Sequence, residues 1–304
     1  MRDKGDIYDT SLADFRSYLK LERSLSGNTI SGYGKDCEKL CDYLRKKGMA
    51  APENASLEDL ASFLESAYED GISKRSQARL TSSVKAFYRF LDAEGRLTEN
   101  PCDKLETPKI NPYLPTVLSV EEVFAILDSV DLSRPEGQRD RAILEVLYSC
   151  GLRVSEASDL RISNLFLSEQ FIKVTGKGSK QRLVPISGPA VKNLVQWLDI
   201  RRTWPVSREA EDCVFINRRG GRLSRISIFN LVKKQAEAAG IRKEISPHTF
   251  RHSFASHMVE NGADLRTVQE MLGHESVLTT EIYTHIDTRK WQETILRYHP
   301  KKNQ

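Results

Sequence analysis

The stretch that decides the reading is Leu272-Gly273-His274, followed nine residues after the histidine by Tyr283 within Thr279-Thr280-Glu281-Ile282-Tyr283-Thr284-His285. Taken alone it offers a loop histidine and a tyrosine. Upstream lie His248-Thr249-Phe250-Arg251, Lys177 between Gly176 and Gly178, and Arg153 in Gly151-Leu152-Arg153-Val154-Ser155-Glu156. Together these form an ordered polar set of two arginines, a lysine, two histidines and a phenol. Guanidinium is planar, permanently charged and forked to match two oxygens of a phosphate. Two such groups can hold both non-bridging oxygens of a phosphodiester and stabilise the charge that builds up in a pentacoordinate transition state. A phenol, with a pKa of about 10, can attack the phosphorus and later leave again.

Each residue also has a plain structural reading. Arg153 follows an apolar helix, where burial demands a partner, and Glu156 and Asp159 are the nearest acids. His248 and Arg251 are three residues apart and share a helical face. His248 and His252 have the i, i+4 spacing of a metal pair. The zinc-protease pattern, however, needs Glu directly after the first histidine; Thr249 stands there, and Arg251 would repel a cation, so no metal site is expected. His252 and His257 read as packed, hydrogen-bonded histidines. Lys177 sits at the tip of Thr175-Gly-Lys-Gly-Ser-Lys180, where glycines keep a hairpin slim; Lys180 competes for the same role. Most of the ten tyrosines should simply pack.

Working outward, the first hundred residues read as four helices. Leu12, Phe15 and Leu19, then Leu57, Leu60 and Leu64, then Leu80, Val84, Phe87 and Leu91 repeat at helical spacing. Ser26, Ser56 and Ser73 are N-cap candidates, and Gly48, Gly71 and Gly95 fall where helices should stop. Pro101, Pro108, Pro112 and Pro115 then interrupt the pattern and mark an extended linker. Ser119 opens a helix with Val120, Val123, Phe124 and Leu127, and a second apolar helix runs to Gly151. Phe171–Val174 and Arg182–Ile186 read as strands of a hairpin. Helices resume at about 188–202, 224–239, 248–261 and 264–272, with a short closing helix around Trp291, Ile295 and Leu296. The expected class is mainly α with a small β-sheet, with a helical domain over 1–105, a linker over 106–118 and a second domain over 119–304.

Composition sets the outer limits. The chain has 304 residues, 29% of them charged, and a net charge of +4. Residues 1–110 hold 18 Lys and Arg against 19 Asp and Glu, whereas 173–242 hold 15 against 5. That local excess favours a polyanionic partner. The N-terminus has no apolar core of a signal peptide, and no apolar run approaches a membrane span. Five cysteines without a Cys-x-x-Cys pair point to a reducing cytoplasm; Cys37 and Cys41, one helical turn apart, read as packing.

In order, spacing and local wording, the set resembles the active site of the tyrosine recombinase family, and the whole chain is most similar to its Xer recombinases. The family pattern of Arg, hairpin Lys, His-x-x-Arg, Gly-His and Tyr falls on Arg153, Lys177, His248, Arg251, His274 and Tyr283, across 131 residues. Glu260-Asn-Gly-Ala-Asp264 and Ser26-Gly-Asn-Thr-Ile30 with Tyr33 and Asp36 extend the likeness; Phe250 stands where many members carry Leu. Glu156 matches an acidic position that supports the first arginine. The resemblance implies an N-terminal core-binding domain and a C-terminal catalytic domain that together clamp double-stranded DNA. It implies cleavage and rejoining through a 3′-phosphotyrosine and a Holliday junction, without metal, cofactor or ATP. In it the arginines and histidines contact the scissile phosphate, Lys177 is the general acid for the 5′-oxygen, and Tyr283 is the nucleophile. It further implies a homo- or hetero-tetramer on two DNA sites, with a second recombinase and an activating translocase as candidate partners. The segment Thr288–Gln304, with Trp291, Ile295 and Leu296, would dock on a neighbouring protomer. The expected role is resolution of chromosome or plasmid dimers, and so chromosome partition at cell division. A mobile-element integrase or excisionase, a type IB topoisomerase and a non-catalytic DNA-binding protein are the other readings.

Overall fold

The computed structural model describes residues 6–23, 25–106, 116–176, 180–273 and 285–301, the stretch 285–290 by its backbone. Helices dominate, and the described strands form one small antiparallel sheet. The chain divides into two compact units, Met1–Tyr113 and Leu114–Gln304. The division falls within the stretch read above as a linker, and 107–115 lie outside the described residues.

The first unit contains α1 (Ile7–Leu21), α2 (Gly27–Lys46), α3 (Leu57–Glu69) and α4 (Lys74–Ala93). Its boundaries follow local chemistry. The Ser26, Ser56 and Ser73 side chains accept hydrogen bonds from the amides of Thr29, Asp59 and Ser76, and Asp59 returns the bond to Ser56 in a capping box. Gly48, Gly71 and Gly95, each just past a helix end, adopt positive φ, which is open to glycine without a Cβ clash. Between the helices Phe15, Leu40, Leu44, Leu60, Phe87 and Leu91 are fully buried. Cys37 and Cys41 pack in that core as free thiols.

Near its start the second unit is anchored by a buried residue. Leu118, read from sequence as the end of the linker, has no exposed surface. Its amide donates to Ser253 Oγ at 2.9 Å and its carbonyl lies 2.8 Å from His257 Nε2. His257 is buried and pairs through Nδ1 with the Tyr148 hydroxyl at 2.8 Å. It is the packed histidine expected. His252, expected to pack likewise, is exposed, because one residue beyond Arg251 turns it about 100° round the helix.

Then follow α5 (Val120–Asp128), α6 (Pro135–Ser149), α7 (Val154–Ser158), β1 (Leu165–Phe166), β2 (Phe171–Thr175), β3 (Gln181–Pro185), α8 (Gly188–Arg201), α9 (Arg225–Ala238), α10 (Pro247–Glu260), α11 (Leu265–Leu272) and α12 (His285–Tyr298). Strand order is β1-β2-β3, with Ile172 opposite Val184 and Val174 opposite Arg182. Helix α6 runs through the core, packed against α8 and α10. Two-residue β1 was not expected; it is too short to show a period of two.

Helix α12 lies on β3 and α10. Trp291 and Ile295 are 4% and 2% exposed, inside the core of their own unit, while Leu296 remains 49% exposed. Lys301, also buried, forms an ion pair with Glu145 of α6. The apolar face read as a surface for a neighbouring protomer is turned inward here: burying two large side chains in the chain's own core outweighs leaving them in water.

Candidate active site

The apolar run of α6 ends at Cys150, and Gly151 turns the chain with φ +56°. A Cβ there would lie 2.7 Å from both Leu272 Cδ2 and Phe254 Cδ1, so the turn requires glycine. Arg153 stands at the N-cap of α7. The Glu156 carboxylate reaches back to the Arg153 amide at 2.8 Å and to Arg153 Nη1 at 2.9 Å. Arg153 Nη2 donates to the Gly273 carbonyl at 3.1 Å. Of the two acids weighed as its partner, Glu156 is the one; Asp159 pairs instead with Arg222. The Arg153 side chain is 33% exposed and remains accessible from solvent.

Arg251 projects from α10 and is buried. Its Nη1 donates to Gly151 O at 2.8 Å and its Nη2 to Leu272 O at 2.6 Å, and Nη1 stands 3.9 Å from Glu156. Burial, and then the neighbouring charge of Arg153, lowers its pKa to about 10, so it stays cationic at neutral pH. His248 sits in the first turn of α10, exposed on the surface. Partial burial of the ring, followed by His252, Arg251 and Arg153, lowers its pKa, which favours the neutral imidazole near pH 7.

One member of this cluster escaped the sequence reading. Arg182 of β3 is 6% exposed and holds Glu156 with both ends of its fork, Nη1 to Oε1 at 2.7 Å and Nη2 to Oε2 at 3.0 Å. Its Nε donates to Met271 O at 3.0 Å. The available signal was strand alternation: Arg182 shares the core-facing side of the hairpin with Ile172, Val174 and Val184. Burial alone would raise the Glu156 pKa, but the hydrogen bond and charge of Arg182, with the amide and charge of Arg153, bring it below the ordinary value. Glu156 is therefore an anion ringed by arginines.

The same arginines hold the end of α11. The carbonyls of Met271, Leu272 and Gly273 accept from Arg182, Arg251 and Arg153 in turn, placing cations at the negative end of the helix. Gly273 closes α11 with φ +67°. Lys177, His274 and Tyr283 lie outside the described residues. Their described neighbours are informative for two of them. Gly273 precedes His274. Gly176 precedes Lys177, and a Cβ on it would stand 3.6 Å from both Glu156 Oε1 and Arg182 Nη1. The hairpin is closed by Gly176 N donating to Lys180 O at 2.7 Å, and Lys180 itself is exposed.

The surrounding basic block is less uniform than its composition suggested. Arg182 and Arg201 point inward; Arg201 donates to the carbonyls of Ala210, Glu211 and Cys213. Arg202, Arg218, Arg219, Arg222, Arg225, Lys233 and Lys234 are exposed.

Comparison with known proteins matches residues 116–290 to the phage integrase family, and residues 12–95 to the phage integrase N-terminal SAM-like domain. The chain belongs to the phage integrase family of tyrosine recombinases. It is thus an enzyme that cleaves and rejoins DNA. It is 42% identical to the tyrosine recombinase XerD of Chlorobaculum tepidum over 99% of this chain and the whole of that protein. The XerH site-specific recombinase bound to a palindromic difH substrate, in a post-cleavage complex, matches with a TM-score of 0.70 and 26% identity, over 97% of this chain and 89% of that one. A lambda integrase tetramer bound to a Holliday junction matches with a TM-score of 0.68 at 19% identity, over 90% and 75% of the two chains, and shares the fold.

Proposed function

We propose that this enzyme is an Xer-type site-specific recombinase that resolves dimers of a circular chromosome or plasmid, with Arg153, Lys177, His248, Arg251, His274 and Tyr283 as its catalytic residues. In the cleavage step the Tyr283 phenol oxygen attacks phosphorus and gives up its proton to solvent water. The P–O5′ bond breaks, and the leaving oxygen takes a proton from Lys177 to become a 5′-hydroxyl. The two arginines neutralise the non-bridging oxygens, and His248 and His274 donate or accept hydrogen bonds there. A 5′-hydroxyl from the second duplex then attacks the 3′-phosphotyrosine and releases the phenol. One ester replaces another at each step, so no nucleotide is consumed.

The observation that carries this reading is the pairing of Arg153 and Arg251 around one carboxylate, with His248 three residues before Arg251. Two guanidiniums fixed beside each other from separate helices are what a dianionic phosphorane transition state requires. The likeness to XerD over the full length favours dimer resolution over a mobile-element role. Four copies, of this chain alone or with a second recombinase, would act on two DNA sites. Exchange of the C-terminal segment between them would require breaking the Lys301–Glu145 pair.

The test is to recover and sequence the DNA held covalently by the protein in cells. A single chromosomal or plasmid site joined through Tyr283 is the expected product, and Tyr283→Phe should yield none. Recovery of the two ends of an integrated element would support the integrase reading instead. Adducts scattered without site preference would indicate a topoisomerase.

A further inference from the structure

Arg182 has no place among the six residues of the proposed chemistry, yet it is the most completely engaged cation in the cluster. A buried guanidinium is costly unless its donors are matched, and here Nε, Nη1 and Nη2 each have a partner. Those partners come from two remote segments. The Glu156 carboxylate belongs to α7 and the Met271 carbonyl to α11, while Arg182 itself is anchored in β3 opposite Val174. Its aliphatic stem fills the space beside Gly273: a Cβ on that glycine would meet Arg182 Cδ and Nε at 3.2 Å. Gly176, next to Lys177, comes close to the same Nη1. Arg182 is thus the point where the hairpin, the Arg153 turn and the end of α11 meet.

We propose that Arg182 is a positioning residue for recombination: by gripping Glu156 with two parallel bonds it fixes the carboxylate that aims Arg153, and by holding Met271 O it fixes the carbonyl end against which Arg251 is set. This rests on the recombinase reading above. Arg182 does not touch the phosphate. Lysine cannot replace it, because a single ammonium cannot span both carboxylate oxygens and a carbonyl in the required plane. Loss of the grip would leave Glu156 free to swing with Arg153, and a misplacement of about 1 Å in such a site costs roughly 100-fold in rate.

The experiment uses the full chain, its cognate duplex and a second duplex in which one non-bridging oxygen of the scissile phosphate is replaced by methyl. That neutral diester needs far less from the two guanidiniums. Arg182→Lys and Arg182→Gln should bind DNA as the wild type does and cleave the normal phosphodiester roughly 10- to 100-fold more slowly. On the methylphosphonate their deficit should shrink by about tenfold, because the aim of Arg153 and Arg251 matters less there. A deficit equal on both substrates, or none on either, overturns the assignment. Should the single variants fail to fold, Arg182→Met with Glu156→Gln removes both buried charges together, a change that cores tolerate better. That double variant should show the same substrate-dependent deficit, and wild-type cleavage by it would overturn the assignment. A wild-type chain inert toward both substrates overturns the recombinase reading and this assignment with it; a reactive wild type with unaffected variants overturns the assignment alone.

Discussion

Arg251 Nη1 donates a 2.8 Å hydrogen bond to the carbonyl of Gly151, a residue one hundred positions earlier in the chain. The bond ties α10 to the turn that launches Arg153, so the two guanidiniums of the site share one backbone support. Gly151 also has φ +56° and no room for a methyl group between Leu272 and Phe254. Its conformation therefore supports the placing of the two arginines as well as the turn.

Gly151→Ala should lower stability and cleavage together. The left-handed conformation alone costs a non-glycine residue about 1–2 kcal/mol, and the close contacts add to it. For a unit of this size that corresponds to a melting temperature lower by roughly 2–8 °C. DNA affinity, which depends on the exposed basic surface, should change little. A variant that melts like the wild type and cleaves at full rate would show that the turn is not under this constraint.

A second prediction concerns acid stability. His299 is buried beside Tyr148, and burial, joined by the charges of Lys301 and His257 and opposed by a hydrogen bond to the Tyr148 backbone, holds its pKa down at about 3. Above pH of about 6.5 the ring is neutral in both folded and unfolded chains and contributes nothing. Between that value and about pH 3 the unfolded chain takes up a proton that the folded chain refuses, so stability falls with pH at up to about 1.4 kcal/mol per pH unit. His299→Phe should flatten that limb. The check is denaturant unfolding at a series of pH values from 7 down to 4; parallel curves for the two proteins would refute it.

Much of this architecture was legible because its determinants are local. Ser56 and Asp59 announce a helix start through side chains three residues apart, and Gly71 announces its end through a φ that other residues avoid. The ordered polar set was legible as a pattern of residue types. What sequence could not show was which buried charges meet. Arg182 and Arg201 counted equally with Arg219 as positive charge, yet the first two serve Glu156 and backbone carbonyls. Their partners lie in segments that only the fold brings together. The same limit hid the inward turn of Trp291 and Ile295: an apolar helical stripe is the same whether it packs on its own core or on another copy.

That difference among the arginines can be measured. DNA binding should weaken steeply with salt as counterions return to the phosphates. Arg219→Ala and Arg225→Ala, on the exposed surface, should each reduce the slope of log K against log salt by about one. Arg201→Ala should leave the slope unchanged and instead destabilise the fold by about 1–3 kcal/mol, since three carbonyls lose their donor. A slope change for Arg201→Ala equal to that for Arg219→Ala would contradict the inward assignment.

Cleavage should proceed in EDTA and without ATP. In the proposed mechanism Arg153 and Arg251 supply the positive charge that a metal ion would otherwise provide, and the phosphotyrosine ester conserves the bond energy for rejoining. Loss of cleavage in chelator with DNA binding intact would count against this division of labour.

The last prediction separates nucleophile from general acid and decides between two lysines of one hairpin. Tyr283→Phe retains the ring and lacks the attacking oxygen, so it should bind its site and form no covalent adduct. Lys177→Ala retains the proposed nucleophile and lacks the proposed proton donor for the departing 5′-oxygen. Replacing that bridging oxygen with sulfur provides a leaving group whose thiol pKa is roughly 8.5 in the cysteine reference, so it can depart unprotonated. The sulfur substrate should restore cleavage to Lys177→Ala and leave Tyr283→Phe inactive. Lys180 is exposed, and its carbonyl rather than its ammonium closes the hairpin with Gly176, so Lys180→Ala should cleave the ordinary substrate well and gain little from sulfur. Rescue of Lys180→Ala with none for Lys177→Ala would move the general acid across the hairpin, from the side flanked by glycines to the side that leads into Arg182.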